Sequence, residues 1–596
     1  MPETIPKLIR MMRAALLLCF SLFIPQLFLA QQALRAPFEQ GVNRSATYSE
    51  TIAFYQQLAR KYPKAFKLQA HGTTDSGFPL HLGILSADGT FTPEKAESGN
   101  KCVLFINNAI HPGEPDGVDA SMLLLRDLLS NPARLRSLNQ VVLLVVPFYN
   151  IGGGLNRTSF SRANQNGPEA YGFRGNARNL DLNRDFIKCD SRNAQTFNQL
   201  YARWRPHVFV DTHVSNGADY PYTMTLIATQ HNKLEAGLGQ FLNARFLPFL
   251  YKGMEQAGWE MIPYVNVGRS PEDGISGFLD LPRYSSGYAA LHNALSFMPE
   301  AHMLKPFPER VKAMRALLDL FLDFASKESQ AIREARAKAD LAVSTQDSFA
   351  LNWRPDRSRV DSLLFKGYAA KYKPSEVSGL DRLYYDHAAP WQKNIRYFNY
   401  FSPVLKIKKP YAYIIPQAWK EVIDRLQWNG VAMKKLEKDT EIEAEFYYIK
   451  KASSPDGPYE GHFLHSQVEV ETKTLRRTFH QGDYIVIANQ PLNRYIVETL
   501  EPQGVDAFFA WNFFDSILDQ KEYYSSYVFE DLASAYLAAH PEVKQALEEE
   551  KRKNPEMAKS ARLQLDFVYR NSPYFEPTLN LYPVGRIGNP GSIPGY

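Results

Sequence analysis

Residues 101–130 read KCVLFINNAIHPGEPDGVDASMLLLRDLLS. The first third is an apolar run without period-two alternation, the pattern of a strand buried on both faces. From Asp116 onward, apolar side chains return at helical spacing. A short turn of Pro, Gly and polar residues joins the two. Strand, turn and helix in that order form the repeating unit of an α/β sheet.

The same grammar continues on both sides. PLHLGILS (79–86), QVVLLVVPFYN (140–150), HVFVDTHV (207–214) and YTMTLIATQ (222–230) read as further strands. NAQTFNQLYARW (193–204) reads as a helix, as do residues 47–62, where Ile52, Tyr55, Leu58 and Ala59 share a face. A helical tract from about Glu309 to Ala342 ends the region. The expectation is an α/β fold with a mixed, largely parallel sheet flanked by helices.

The remainder reads as a separate α+β accessory unit. PYAYIIP (410–416) is a strand, followed by a helix in WKEVIDRLQWNG (419–430) that Gly430 stops. EIEAEFYYIKK (441–451) and SQVEVETKTL (466–475) alternate like half-exposed strands, and GDYIVIAN (482–489) is another. The run EEEKRK (548–553) is a solvated helix face. Trp511, Phe513 and Phe514 fit a core better than a binding face. The expected divisions are 1–30, 31–343 and 344–596. A chain of 596 residues is too long for one core, which agrees.

The net charge of +5 is small and no basic block stands out, which argues against a nucleic-acid partner. Lys7, Arg10 and Arg13 precede the apolar run Ala14 to Ala30, which contains Pro25. That is the pattern of a signal peptide and an exported protein, periplasmic or secreted, with no stable membrane span after cleavage. Cleavage there leaves Cys102 and Cys189, which are expected to be buried free thiols.

Several chemically active side chains stand at the ends of expected strands, where open α/β sheets bind ligands. His111 and Glu114 lie three apart in one turn, and His213 ends HVFVDTHV. Two histidines and a carboxylate make a three-ligand set that leaves one tetrahedral position for water, the pattern of a catalytic zinc. Asp211 or Asp116 is a candidate for orienting a ligand. Gly152 to Gly154 form a turn rather than a phosphate loop, since no Lys-Ser/Thr follows. His207 and His292 read as core histidines.

In order, the chain reads HPGEPDG (111–117), PFYNIGGG (147–154), RGNARNLDLNRDF (174–186), DTHVS (211–215) and MPEAH (298–302). With these motifs it resembles the M14 family of zinc carboxypeptidases, over roughly residues 45 to 330. The resemblance implies a carboxypeptidase-like fold and one zinc per chain, held by His111, Glu114 and His213. It implies that Asn183 and Arg184 bind the terminal carboxylate of a peptide substrate. The chemistry suits that role, since a guanidinium grips a carboxylate bidentately.

Arg174 matches the arginine that polarises the scissile carbonyl, with Arg178 as its rival. Glu300 matches the catalytic glutamate, with Glu309 and Glu272 as distant alternatives. Ala301-His302 replaces the family's Arg-Asp after that glutamate, and Val214 stands where the family often has Ser. His302 fits an orienting or structural role better than a fourth ligand. Tyr284 and Tyr288, in PRYSSGYAAL (282–291), both match the family's mobile tyrosine.

The implied function is a zinc metallocarboxypeptidase with Glu300 as general base, acting on peptides with a free C-terminal carboxylate. The region between Asp280 and Ser286 is expected to shape the specificity pocket. Two other classes remain open: a zinc amidase acting on cell-wall peptides or acylated amino acids, and a non-catalytic peptide- or glycan-binding protein. Whether Asn183-Arg184 grips a main-chain carboxylate separates the first; the intact ligand set with Glu300 speaks against the second.

Overall fold

The structure, a computed structural model, describes residues 34–40, 43–267 and 270–593. The expected signal segment 1–30 lies outside the described residues. No helix among those described is long and apolar enough to cross a membrane.

The apolar runs form one nine-stranded sheet. Its strands are β1 (Phe66–His71), β2 (Leu80–Ser86), β3 (Cys102–Asn107), β4 (Val141–Val146), β5 (Val208–Asp211), β6 (His213–Ser215), β7 (Met224–Ala228), β8 (Met261–Pro263) and, after the short β9 (Ile275–Ser276), β10 (Leu295–His302). The order is β1-β2-β4-β3-β5-β10-β7-β8, with β6 paired to β10. β4, β3, β5 and β10 run parallel, and β1, β2 and β7 bring the antiparallel pairs. The residues of β3, β4 and β5 are buried throughout, which is why they lack alternation in sequence.

The helix Tyr48–Lys61 opens with a Thr47/Glu50 capping box. Asp116–Ser130 and Arg192–Trp204 coincide with the expected helices. The tract from Glu309 is two helices, Phe307–Lys327 and Ser329–Thr345, broken at Glu328.

The C-terminal part is β-rich, as its alternating segments foretold. Ala412–Ile415, Thr440–Ser453, Ser466–Phe479 and Tyr484–Ile487 join one six-stranded sheet. Gly430, at φ +78°, ends the helix Lys420–Trp428. Trp511 and Phe514 are fully buried. One apolar core, containing Phe197, Tyr201 and Tyr288 from the first part and Tyr413, Tyr495 and Trp511 from the second, runs continuously between the two. Cys102 and Cys189 are free and buried, and burial pushes the Cys102 thiol up to about 12.

Candidate metal centre and substrate cleft

β3 ends at Asn107, and the chain turns through Ala109, a non-glycine residue at φ +56°. His111 and Glu114 follow before the helix from Asp116 begins. On the neighbouring parallel strands, β5 breaks at Thr212, whose amide and hydroxyl bond to Asn107 O and Asn108 Oδ1. That break precedes His213, the first residue of β6. β10 carries Glu300 in register with His213. All four residues therefore gather at the carboxyl edge of the parallel strands.

Ligand atoms of His111, Glu114 and His213 lie within 4.8 Å of one another, and all three residues are buried. His111 Nδ1 and His213 Nδ1 face Glu114 Oε2 at 3.2 and 3.1 Å. Their other ring nitrogens donate to carboxylates: His111 Nε2 to Asp181 Oδ1 (3.0 Å) and His213 Nε2 to Asp211 Oδ2 (2.9 Å). Such bonds leave each Nδ1 as the lone-pair side, turned on the same carboxylate oxygen. His111 Nδ1 is buried without a hydrogen bond. The positive charge beside Glu114 is supplied either by a proton on His213 or by a bound cation; with both rings neutral the donor set fits zinc.

Burial by itself would raise the Glu114 carboxyl; His111 and the Arg162 guanidinium overcome it and hold the group well below the usual carboxylate range. Burial likewise opposes charge on His213, yet Asp211 and Glu114 hold that ring well above its ordinary value. The orienting roles differ from expectation in one respect. Asp211 serves His213, but Asp116 is turned away to Arg310 (2.8 Å), and Asp181 takes the place beside His111.

The cluster opens into a cleft of about 580 Å³ that also holds Arg174, Asn183, Arg184, Tyr284 and Glu300. Arg174 is placed by close backbone packing. Its neighbours Phe173 and Gly175 approach Gly153 so tightly that a Cβ there would lie 2.4 Å from Phe173 O. Asn150 Nδ2 donates to Arg174 O (2.9 Å). The Arg174 side chain spans Asp181 (2.9 Å) and Glu114 (3.6 Å). Arg178 lies outside this cleft and donates to Asp190 O (2.8 Å).

Asp185 shapes the turn after the Asn-Arg pair, accepting from Lys188 Nζ, Asp190 N and both donors of Ser191. Asn183 Oδ1 accepts from Ser285 N (3.1 Å), and the Arg184 guanidinium lies over the Tyr284 ring at 4.5 Å. Glu300 is half-buried on the cleft floor. Burial, aided by Glu114, raises its carboxyl above the usual range against the pull of His213 and Arg174.

Tyr284 reaches the cleft and Tyr288 does not. Tyr288 is fully buried against Phe186 and Tyr201, and its hydroxyl donates to Asn429 Oδ1 (2.7 Å). His302 bonds to Ala218 O and accepts from Leu304 N, which gives it a structural setting. Val214 contributes its backbone N–H to Glu114 Oε2 (3.0 Å), a contact any side chain permits. Asp280 is buried in an ion pair with Lys233 (3.2 Å), so of the region 280–286 Tyr284 lines the cleft and Asp280 does not. His207 is half-buried, its Nδ1 accepting from Val103 N (3.1 Å), and His292 is buried.

Arg162 is the charged residue of the cleft that sequence reasoning missed. Its Nη2 donates to Glu114 Oε1 (2.6 Å) and its Nη1 to Gln165 Oε1 (2.8 Å). Arg310 holds its loop by donating to Asn166 O and Gly167 O. No motif surrounds Arg162; its loop, its bond to Glu114 and the room left by Gly113 place it.

Residues 51–234 match the family model described as zinc carboxypeptidase. Carboxypeptidase 2 of Trichophyton rubrum is 22% identical over 493 residues, covering 78% of this chain and 83% of its own length. Its counterpart in Trichophyton equinum is 23% identical with the same coverage. Among solved structures, the carboxypeptidase A of Helicoverpa armigera aligns with a TM-score of 0.37 and 14% identity, over 50% of this chain and 75% of that one.

Proposed function

We propose that this chain, a metallopeptidase whose residues 51–234 belong to the zinc carboxypeptidase family, removes C-terminal residues from peptides by zinc-dependent hydrolysis. The reading is carried by one observation. A His-Glu-His donor set, a carboxylate in register beside it and three arginines share a single cleft.

His111, Glu114 and His213 would hold the ion, with Asp181 and Asp211 orienting the imidazoles. Zinc bound there would supply Lewis acidity and acidify a water. Glu300, on the floor of the cleft, takes the proton from the attacking water and returns it to the leaving amine. Arg174 offers its guanidinium to the oxygen of the scissile carbonyl, where negative charge develops. Asn183 and Arg184 bind the substrate's terminal carboxylate, and Tyr284 backs Arg184 from below.

The cleft suggests the side chain preferred at the C-terminus. Ile227, Tyr264, Phe278 and Met298 line it, and Glu114 and Glu300 are its only carboxylates among the described residues. An apolar or aromatic terminal residue is favoured, because beyond those two, which belong to the metal centre, no carboxylate lines the cleft to pair with a lysine or arginine. We assign catalysis to residues 31–343, a further unit to 344–596, and export to the segment 1–30.

The test is metal analysis of the purified chain, with mass spectrometry of a mixed peptide library, beside Glu300→Gln. One zinc per chain in both proteins, with stepwise C-terminal loss in the wild type alone, is the expected result. Near-wild-type turnover by Glu300→Gln would remove Glu300 from the base role.

A further inference from the structure

The segment carrying the carboxylate-binding pair is held from outside by residues far along the chain. Strands Thr440–Ser453 and Ser466–Phe479 form a hairpin, and their connection, residues 454–465, rests against residues 181–190. At its tip, the Tyr459 hydroxyl accepts from Arg184 Nε (2.9 Å). Next to it, Glu460 Oε2 accepts from the Asp181 backbone N–H (2.8 Å). His462 Nε2 bonds Asp190 Oδ2 (2.7 Å), and Arg425 reaches Asp190 Oδ1 (3.1 Å) and Lys188 O (2.6 Å).

Arg283, over the Tyr459 ring at 5.5 Å, is held in the same way. Asp506 accepts from the Arg283 N–H (2.9 Å) and pairs with its guanidinium, beside Tyr284. Arg283 also lies over Trp511 at 5.1 Å.

The tip conformation is costly in itself. Glu460 sits at φ +52° and Gly461 at φ +83°, closed by reciprocal backbone bonds between Tyr459 and His462 (2.7 and 3.1 Å). A non-glycine residue in the left-handed region is disfavoured, and such strain persists where the surroundings over-determine it. Besides those two backbone bonds, the contacts to Asp181 and Arg184 hold it.

The grip has a direct consequence for Arg184. Its Nε is fixed by Tyr459, its Nη1 by Asn183 O (2.8 Å), and its plane by the Tyr284 ring. A guanidinium fixed in orientation loses less freedom when it forms a bidentate pair with a carboxylate.

We propose that Tyr459 and Glu460 are positioning residues for the carboxylate clamp. Through the hairpin tip, the C-terminal part of the chain sets the orientation of Arg184 and the backbone from Asp181 to Arg184. It is thus a working component of the substrate site. This rests on the reading of Arg184 as the carboxylate-binding group.

The test uses the full chain with Tyr459→Phe, which deletes one oxygen and keeps the ring. KM for peptides with a free C-terminus should rise about tenfold, as expected for losing one hydrogen bond to a charged group, with kcat within about twofold. Inhibition by a product acid should weaken equally, while its C-terminal amide is unaffected. Metal content and thermal midpoint should match the wild type. Glu460→Gln, which keeps an acceptor, should stay near wild type, and Glu460→Ala should resemble Tyr459→Phe.

In an Arg184→Ala background, Tyr459→Phe should add nothing. Wild-type KM in Tyr459→Phe, with Arg184→Ala impaired only on free acids, overturns the positioning role and leaves the clamp standing. An Arg184→Ala variant that treats acid and amide alike removes the clamp, and the proposal with it.

Discussion

Replacing Asp181 by asparagine tests the centre at its most connected point. Oδ1 of Asp181 accepts from His111 Nε2 (3.0 Å) and from Asn183 N (2.9 Å). Oδ2 accepts from Arg174 Nε (2.9 Å), with Arg184 Nη1 at 3.8 Å. Every neighbour is therefore a donor. The amide of asparagine must aim its NH₂ at one side or the other, against His111 and Asn183 or against Arg174. Either choice loses at least one charge-assisted bond, worth about 1.5–3 kcal/mol. It also removes the negative charge that makes His111 a better donor to a metal.

Loss of such an orienting carboxylate typically lowers metal affinity about 10–100-fold. The assay is chelator competition on the purified protein, which reads zinc affinity without reference to turnover. Asp211→Asn, which removes the partner of His213, is the parallel variant. We expect both to fall by similar factors, with circular dichroism unchanged. Zinc affinity within about twofold of wild type in Asp181→Asn, alongside a clear loss in Asp211→Asn, would falsify the assignment of His111 as an Asp181-oriented ligand.

Two further outcomes follow from the cleft and the core. Ile227→Asp places a carboxylate in an otherwise apolar wall, so the ratio of kcat/KM for lysine- over leucine-terminated peptides should rise at least about tenfold. An unchanged ratio would mean that the terminal side chain binds elsewhere. Asp119 is buried, and its carboxyl is pushed up to about 8, chiefly by burial against the single bond from Ala46 N. Between about pH 4 and pH 8 the folded state holds a proton that the unfolded chain has released, so this group's contribution to stability falls as pH rises. Thermal midpoints at pH 5 and pH 8 should therefore differ less in Asp119→Asn than in wild type, and parallel behaviour would contradict the shift.

Much of the fold was legible because burial leaves a mark on composition. β3, β4 and β5 have water on neither face, so they appear as unbroken apolar runs, and the helices on them keep helical spacing. The hairpin Asp361–Pro374 and Asp381–Phe398 was not legible. Most of its side chains are exposed or half-exposed, with Phe365 and Ile395 its buried apolar anchors. A strand that is wet on both faces has no reason to alternate.

The site divides along the same line. His111 and Glu114 share one turn, and the strand-end positions of His213 and Glu300 follow from where apolar runs stop, so sequence alone could nominate all four. Choosing Tyr284 over Tyr288 needed three dimensions, because Tyr284 is the extended residue just before the helix Ser285–Leu291 and reaches the cleft, whereas Tyr288 lies inside that helix and packs against Phe186. So did Asp181 beside His111, Arg162 beside Glu114, and Tyr459 on Arg184, the last spanning 275 positions. Local pattern reports which residues must leave water and which backbone shape suits them. Partnerships between polar groups far apart in the chain leave no such periodic trace, and only the packing of the folded chain decides them.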